Sequence, residues 1–339
     1  MKLKREINNI AIKYPVNITL EHKKYFEQCL QWEYYTPVVK NHFCSFLYLG
    51  GAGTSLLLQP IKNTEPWLNF YKTFNKSFYL GLLLAAAKKN KISFVTARLY
   101  YYCTNEFSNS YYHWFTEVLP KIVYVKNSLN TNAKFFIPFP LTEYQRTSLN
   151  LLGINFYDTK SKVTFFCQLK VVENFTMSTG YYHRSLLTET AHQIKKTIGY
   201  NEKLKRKIYV TRKNASRRRI LNEEKVTNIL LKLGFEIFDF DDIDFIKQVE
   251  ILVSTSIFVS LHGAALTNMI YMQPNSIIFE LLPKEIYSDK CFFILAGTLK
   301  HRYYYLFCEI NNPSHILADY YVNIQMFEKV LLATISAAE

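Results

Sequence analysis

The sequence predicts an α/β protein with two domains, and three observations carry that expectation. Short apolar runs rich in β-branched and aromatic residues alternate with stretches of helical periodicity along the chain. The length of 339 residues exceeds what one hydrophobic core usually organises. A polar, strongly basic stretch, KKTIGYNEKLKRK at 195–207, separates an irregular first half from a regular second one and places a domain boundary near residue 200. Residues 1–199 therefore read as one α/β domain and 200–339 as a second, whose last helix can pack back on the first.

In the first domain the β-prone pieces NKISFVTARLYYY, AKFFIPF and KVTFFCQLKVV alternate with the helical patterns YYHWFTEVLPKIVYV, TEYQRTSLNLLG and LLTETAHQIKKTI. The second domain reads as repeated β-α units. KIYVT is a strand, NEEKVTNILLKLG a helix capped by Asn222 and stopped by Gly234, and FEIFDF the next strand. DFIKQVEILVS, IFVSL, GAALTNMIYM and SIIFELL continue as helix, strand, helix and strand, the last beyond a turn at Pro274-Asn275. Units of this length build a parallel sheet with right-handed crossovers, and open sheets of that kind bind ligands beyond the carboxyl ends of their strands.

Composition and charge narrow the function classes. Apolar residues make up 49% of the chain, and Gly and Pro are scarce at 10 each, which excludes a disordered or fibrous protein. The net charge of +14 points to an anionic partner: nucleic acid, an acidic membrane surface or a phosphorylated small molecule. Six cysteines lack C-x-x-C spacing, so buried thiols are expected rather than a zinc or redox site. The N-terminal MKLKREINNIAIKYPV has no continuous apolar core. The longest apolar run, FYLGLLLAAA at 78–87, is about half of the ~20 residues a membrane-spanning helix needs. A soluble, cytoplasmic protein is expected, in which the N-x-S/T triplets at Asn17, Asn75, Asn174 and Asn214 are incidental.

Chemistry-bearing residues gather first around FVSLHGAALTNMIYM, where His262 stands at the carboxyl end of a strand and Gly263 opens the helix after it. A helix N-terminus exposes unpaired N–H groups and the positive end of the helix dipole, which suits a phosphate. Gly263, Ala264 and Ala265 let an anion approach the backbone; the same small residues also serve plain helix-on-sheet packing. YVTRKNASRRRI follows the domain's first strand and falls at the same sheet edge, bringing Arg212, Lys213 and Arg217 to Arg219. Arginine's fork matches phosphate oxygens in pairs. Arg212, directly after the strand, is best placed, whereas Arg218 and Arg219 suit a solvated face.

VTRKNASRRRI and HGAALTN in that order, within the run 210–283, resemble the C-terminal half of glycosyltransferase family 61. SYYHWFTEVLPKIVYV at 110–125 is similar to that family's N-terminal signature. Residues 1–90 match nothing in it. The resemblance implies a GT-B architecture, two Rossmann-like domains facing across a cleft, with a nucleotide-sugar donor held by the C-terminal one. It also implies inverting transfer from a UDP-sugar such as UDP-GlcNAc, UDP-xylose or UDP-arabinose. On this resemblance Arg212, Arg217 and the His262-Gly263-Ala264 corner face the donor diphosphate, and Glu280, ending IIFE, accepts from ribose hydroxyls.

Inversion requires an acceptor hydroxyl to attack the anomeric carbon opposite the departing phosphate, so a base must stand across the cleft. His113 and Glu117 are four apart and share one helical face. Either His113 is the base and Glu117 orients it, or Glu117 is the base and His113 binds substrate; a purely structural pair is the third reading. Glu117 is favoured because a carboxylate is already unprotonated at neutral pH. Tyr182 and His183 are candidate acceptor contacts, since aromatic faces stack on sugars.

Two features carry no chemistry. LGGAGTSLLLQP at 49–60 lacks the Lys-Ser/Thr ending of a phosphate-binding loop. The D-x-D triplets of DFDDIDF lie between a strand and a helix, where Asp244 caps and the others serve the turn, so neither a metal nor another cofactor is expected. The sequence thus points to an inverting, metal-independent glycosyltransferase acting on a surface polysaccharide or glycolipid, its basic charge able to hold it near an anionic inner membrane. A basic nucleic-acid-binding protein is the first alternative, but no recognition motif accompanies the arginines, and no nucleic-acid partner is expected. A non-catalytic nucleotide-sugar- or glycan-binding protein is the second, against which His113 and Glu117 argue.

Overall fold

The computed structural model describes residues 7–48, 53–55, 76–89, 92–95, 99–104, 107–129, 132–159, 163–176, 180–199, 205–283, 290–311 and 318–337. The glycine-rich stretch at 49–60 lies outside them except for residues 53–55, and so does Asn75, the first residue of its triplet. The chain divides into two compact α/β units. One comprises Met1–Asn8, Glu33–Thr179 and Ser185–Ile194; the other comprises Asn9–Trp32, Gly180–Arg184 and Lys195–Glu339. The second unit therefore takes an N-terminal segment as well as everything beyond the basic seam.

β1 (Ile7–Ala11) pairs with β2 (Gln31–Tyr35), and α1 (Leu20–Glu27) lies between them in sequence. The first unit continues with β3 (Val39–Tyr48), β4 (Gly53–Ser55), α2 (Lys76–Lys88), β5 (Ile92–Val95) and β6 (Tyr100–Tyr102). Helical turns α3 (Tyr111–His113) and α4 (Leu119–Tyr124) follow, then β7 (Lys134–Ile137), α5 (Glu143–Leu151), β8 (Asn155–Asp158), β9 (Val163–Val172) and α6 (Arg184–Ile198). The sheet runs β4-β3-β9-β6-β7-β8, with β5 also on β9; β3 and β4 are antiparallel additions to a parallel set. Tyr100 and Tyr102 pack with Phe136, Phe166, Leu169 and Val171, so the tyrosine run at 100–102 is core.

The helix expected over YYHWFTEVLPKIVYV is present but not uniformly α. A π turn, Trp114–Val118, separates α3 from α4, and a second, Val125–Leu129, ends the run. Pro120 supplies the reason for the first. It has no N–H for the carbonyl four residues back and its ring crowds that carbonyl. The chain widens just before it, with the Leu119 N–H donating to Trp114 O.

The second unit contains β10 (Arg206–Val210), α7 (Glu223–Lys232), β11 (Glu236–Phe238), α8 (Phe245–Val253), β12 (Thr255–Leu261) and β13 (Ile277–Pro283). α9 (Cys291–Thr298), β14 (Arg302–Ile310), β15 (Tyr320–Tyr321) and α10 (Ile324–Ser336) complete it. Its sheet order is β11-β10-β12-β13-β14-β15, parallel except for β15. That is the parallel sheet the β-α periodicity predicts, and every residue of β13 is buried, as in strands covered on both faces. α10 inserts Phe327 and Leu331 into this unit's own core beside Phe279, and each such burial contributes about 1.5–3 kcal/mol. The N-terminal segment is fixed to the unit by Val16 N–H to Tyr303 O at 2.9 Å and by the Asn17 amide to Tyr305 O at 2.7 Å. Gly297 makes room for it, because a Cβ there would stand 2.8 Å from Ile12.

Three local expectations change. Asn222 does not cap α7 with its side chain; its amide instead pairs with Val322, donating to the carbonyl at 2.8 Å and accepting from the N–H at 3.0 Å. The segment after Gly263 is a 3₁₀ helix, Ala264–Tyr271, rather than an α-helix. Glu280 lies in the middle of β13, not at its end. The acidic cluster behaves as expected: Asp244 accepts from Lys247 N–H at 2.9 Å to cap α8, and Asp239 accepts from Asp241 N–H at 3.1 Å. Among the described residues no helix is long and apolar enough to cross a membrane, and no group of three or more His, Cys, Asp or Glu is placed to hold a metal ion.

Candidate functional site

β12 delivers His262 to the carboxyl edge of the second sheet, where its N–H donates to Leu281 O on the neighbouring strand at 3.0 Å. Its ring is buried and bonded through Nδ1 to Glu280 Oε1 at 2.5 Å. The other carboxylate oxygen accepts from the Tyr303 hydroxyl at 2.6 Å, one strand further on. Burial, then the Glu280 charge, holds the Tyr303 phenol well above its usual pKa, so it remains a donor. With Glu280 accepting, Nδ1 carries a proton. Phe292 meets the ring edge-on at 5.0 Å between centroids. Glu280 thus stands behind His262, both oxygens engaged, instead of at the sheet edge where a ribose would meet it.

The arginine loop reaches the same corner. Arg212 donates from Nε to Arg218 O at 3.2 Å and from Nη2 to Arg217 O at 3.5 Å, which folds the loop around its guanidinium. A Cβ at Gly263 would lie 2.8 Å from Arg212 Nη1. Gly263 has extended backbone, so it is space for the guanidinium, not a special conformation, that requires glycine. Burial, then the neighbouring Arg218 charge, lowers the Arg212 pKa, with Asp241 pulling the other way. Buried Glu223 anchors the base of the loop by accepting from Tyr209 Oη at 2.5 Å and Thr211 Oγ1 at 2.7 Å. Arg219 pairs with Asp319 at 2.8 Å, Arg217 is exposed, and Ala264 is exposed at the mouth of the corner. A concavity of about 820 Å³ lies beside the loop, lined by Thr211, Lys213, Arg219, Glu223 and Glu224; it does not include His262.

In the first unit, His113 Nδ1 and Glu117 Oε1 are 3.0 Å apart, with their side chains 17% and 14% exposed. Phe107 stacks on the imidazole at 5.2 Å and Tyr112 meets it edge-on at 4.9 Å. The helix is anchored from behind by Trp114, fully buried, whose indole N–H donates to Ser148 Oγ at 3.0 Å. Tyr182 and His183, by contrast, are interior residues of the second unit. Tyr182 donates to Cys291 O at 2.9 Å while its own carbonyl accepts from Trp32 Nε1, and burial pushes the His183 pKa down to about 4.

Residues 111–279 match the family model described as glycosyltransferase 61. The chain belongs to glycosyltransferase family 61. Its relatives include proteins named EGF domain-specific O-linked N-acetylglucosamine transferase. The one from Mus musculus is 26% identical over 124 residues, which is 35% of this chain and 23% of that protein. The one from Rattus norvegicus is 28% identical over 97 residues, 27% of this chain and 18% of that protein. The match therefore spans less than two thirds of these relatives' own length.

Within this family 61 chain, the matched region holds both the His113–Glu117 pair and the Arg212–His262–Gly263 corner. Sequence reading missed three residues that complete them. Tyr303 lies beyond the matched region, and only strand register brings it to Glu280. Glu223 reads as an ordinary first-turn helix acid. Lys121 is 1% exposed and donates to Asn174 Oδ1 at 3.1 Å. Burial lowers its pKa, opposed by Cys103 and then Glu117. Its signal was available in the spacing His113, Glu117, Lys121.

Proposed function

We propose that this protein is an inverting glycosyltransferase of GT-B form, moving a sugar from a UDP-linked donor to a hydroxyl of a glycan or glycolipid. The observation that carries the reading is the corner where Arg212 packs against Gly263 beside a His262 held by Glu280. A diphosphate placed there receives charge-assisted hydrogen bonds from the Arg212 guanidinium and from His262 in its imidazolium form, in which Nε2 as well as Nδ1 carries a proton, with Ala264 and the first turn of the 3₁₀ helix open to it. Charge develops on the diphosphate as the glycosidic C–O bond breaks, so donors fixed in advance favour the transition state over the ground state. Glu280 acts here as a positioning residue for His262 and not as a ribose ligand.

The His113–Glu117 pair supplies the base for the acceptor hydroxyl. Membership of family 61 and the names of the relatives support transfer chemistry, and those names also favour a second acceptor reading, a protein hydroxyl glycosylated with N-acetylglucosamine. The net charge of +14 fits peripheral contact with an anionic membrane from the cytoplasmic side.

A thermal-shift screen against nucleotide-sugars tests the donor site. A ligand at 100-fold its dissociation constant stabilises the native state by about 2.7 kcal/mol. UDP-sugars should raise the melting temperature of the wild type. Arg212→Ala and His262→Ala should each bind about 10- to 100-fold more weakly, the loss of one charge-assisted hydrogen bond. Unchanged affinity in both variants would remove the donor site from this corner. Metal independence is part of the proposal, because cations of the chain face the leaving group and Asp239 and Asp244 already cap helical turns. EDTA treatment should leave turnover intact; loss restored by Mn²⁺ would reassign the acidic cluster.

A further inference from the structure

Arg218, in the middle of the arginine loop, has left-handed backbone with φ 55°. A residue with a Cβ keeps that conformation only where its surroundings over-determine it. Here two groups act on one peptide unit. The Arg218 carbonyl accepts from Arg212 Nε at 3.2 Å, and the N–H of the same peptide, that of Arg219, donates to Asp319 Oδ1 at 2.8 Å. Because the peptide is planar, fixing its N–H fixes the direction of its carbonyl. The second Asp319 oxygen accepts from Arg219 Nη2 at 2.8 Å. Backbone pairing extends the attachment: Tyr320 N–H donates to Arg219 O at 2.8 Å and Leu221 N–H to Tyr320 O at 2.8 Å. The segment that receives the loop is itself fixed. β15 pairs with β14, Asn311 N–H donates to Asp319 O at 3.0 Å, and Tyr320 is buried in the core. The arginine loop therefore starts on β10 and ends on the β14–β15 pair, with β12 and β13 between β10 and β14 in the sheet.

We infer that Asp319 is a positioning residue of the donor corner: by holding the Arg219 N–H it turns the Arg218 carbonyl onto Arg212 Nε and so keeps the Arg212 guanidinium against Gly263. This role rests on the transferase reading, and it draws into the donor site a residue beyond the region matched to the family. With Nε donating to Arg218 O and Nη2 to Arg217 O, the guanidinium presents Nη1 at the space that a Cβ on Gly263 would fill. A long side chain fixed in this way before a diphosphate arrives loses little rotamer freedom on binding it. An exposed ion pair by itself contributes little, but Asp319 does more than pair with Arg219, since its first oxygen holds a backbone N–H. Without that acceptor, Arg218 relaxes out of the left-handed region, its carbonyl turns away, and Arg212 is released from the corner. The signature is weaker diphosphate binding with an unaltered acceptor KM.

Calorimetry with UDP, joined to NMR of the Arg212 Nε–H and the Arg219 amide, tests this role; the NMR part needs no activity. In the wild type both protons should exchange slowly with solvent before any ligand is added. Asp319→Ala should remove both protections and weaken UDP binding about 10-fold, the scale of one lost charge-assisted hydrogen bond. The donor KM should rise in the same proportion while the acceptor KM stays put. Asp319→Asn keeps an oxygen for the Arg219 N–H and discards the charge, so its UDP affinity should stay within about threefold of wild type. That variant separates the hold on the peptide from the surface ion pair. If Asp319→Ala does not fold, exchange in the wild type and the affinity of Asp319→Asn still decide. Rapid exchange of either proton in the resting wild type overturns the inference. So does a protected Arg212 Nε–H or an unchanged UDP affinity in folded Asp319→Ala, or an Asp319→Asn that binds about 10-fold more weakly than wild type. A wild type that binds no UDP refutes the donor reading instead, and the Arg212 signal still shows whether Asp319 positions it, so the two failures are distinguishable.

Discussion

Among the described residues a histidine Nδ1 is bonded to a glutamate twice, and the two pairs are built differently. His262 and Glu280 sit on adjacent parallel strands, 2.5 Å apart, with side chains 6% and 2% exposed and the second carboxylate oxygen closed by Tyr303. His113 and Glu117 sit one turn apart on a single helix, 3.0 Å apart and partly open to solvent. The strand pair is over-determined: register, burial and a third partner fix the imidazole, which suits a group that must hold an anion in one place. The helical pair is set by local geometry with one end exposed, which suits a group that must gain and lose a proton. In the proposed function His262 binds, which gains from rigidity, and the His113–Glu117 pair transfers a proton, which needs access.

The comparison breaks most sharply in turnover. His113→Gln should reduce the rate about 10²-fold or more while nucleotide-sugar affinity stays near the wild-type value. Glu117→Gln should reduce it less if His113 takes the proton, since the amide still orients the ring, and as much or more if the carboxylate does. Single-turnover kinetics with calorimetric donor affinities measures both, and near-normal turnover in His113→Gln would return the base to Glu117.

Stability should separate the pairs in the opposite sense. Glu280→Ala strips two buried donors of their acceptor and should cost about 3–5 kcal/mol. Glu117→Ala removes a partly exposed pair and should cost about 1 kcal/mol or less. Denaturant unfolding of the two variants compares them directly; equal losses would mean that the helical pair is structural too. The smallest effect belongs to Gly263→Ala, where the new methyl must displace the Arg212 guanidinium from its 2.8 Å approach. A flexible side chain can move, so the fold should hold and donor affinity should fall by only a few-fold. Calorimetry on the folded variant reads this change, and unaltered affinity would show that Arg212 acts from another position.

How much of each pair the sequence reveals follows from how each is made. His113 and Glu117 were legible because four-residue spacing on a helix is a local rule. The same rule marks Lys121, but its burial against Asn174, 53 residues away, is not local. Glu280 was recognised as a residue of interest yet given the wrong neighbour, since Tyr303 joins it only through the pairing of β13 with β14. Asn222 has the composition of a helix cap, but its amide is taken by Val322, 100 residues on. Asp244 caps as expected because its partner lies three residues away.

By itself, the sequence determined the α/β class, the parallel sheet of the second unit, the helix carrying His113 and Glu117, and the sheet edge on which Arg212 and His262 meet. These depend on periodicity, turn chemistry and chain order, all of which act over a few residues. The tertiary structure alone decided that residues 9–32 join the second unit, that Glu280 is locked behind His262 by Tyr303, and that Gly263 yields its side-chain space to Arg212. Those arrangements arise from strand register and close packing between distant segments, where the interaction energy depends on a geometry that no short stretch of chain contains.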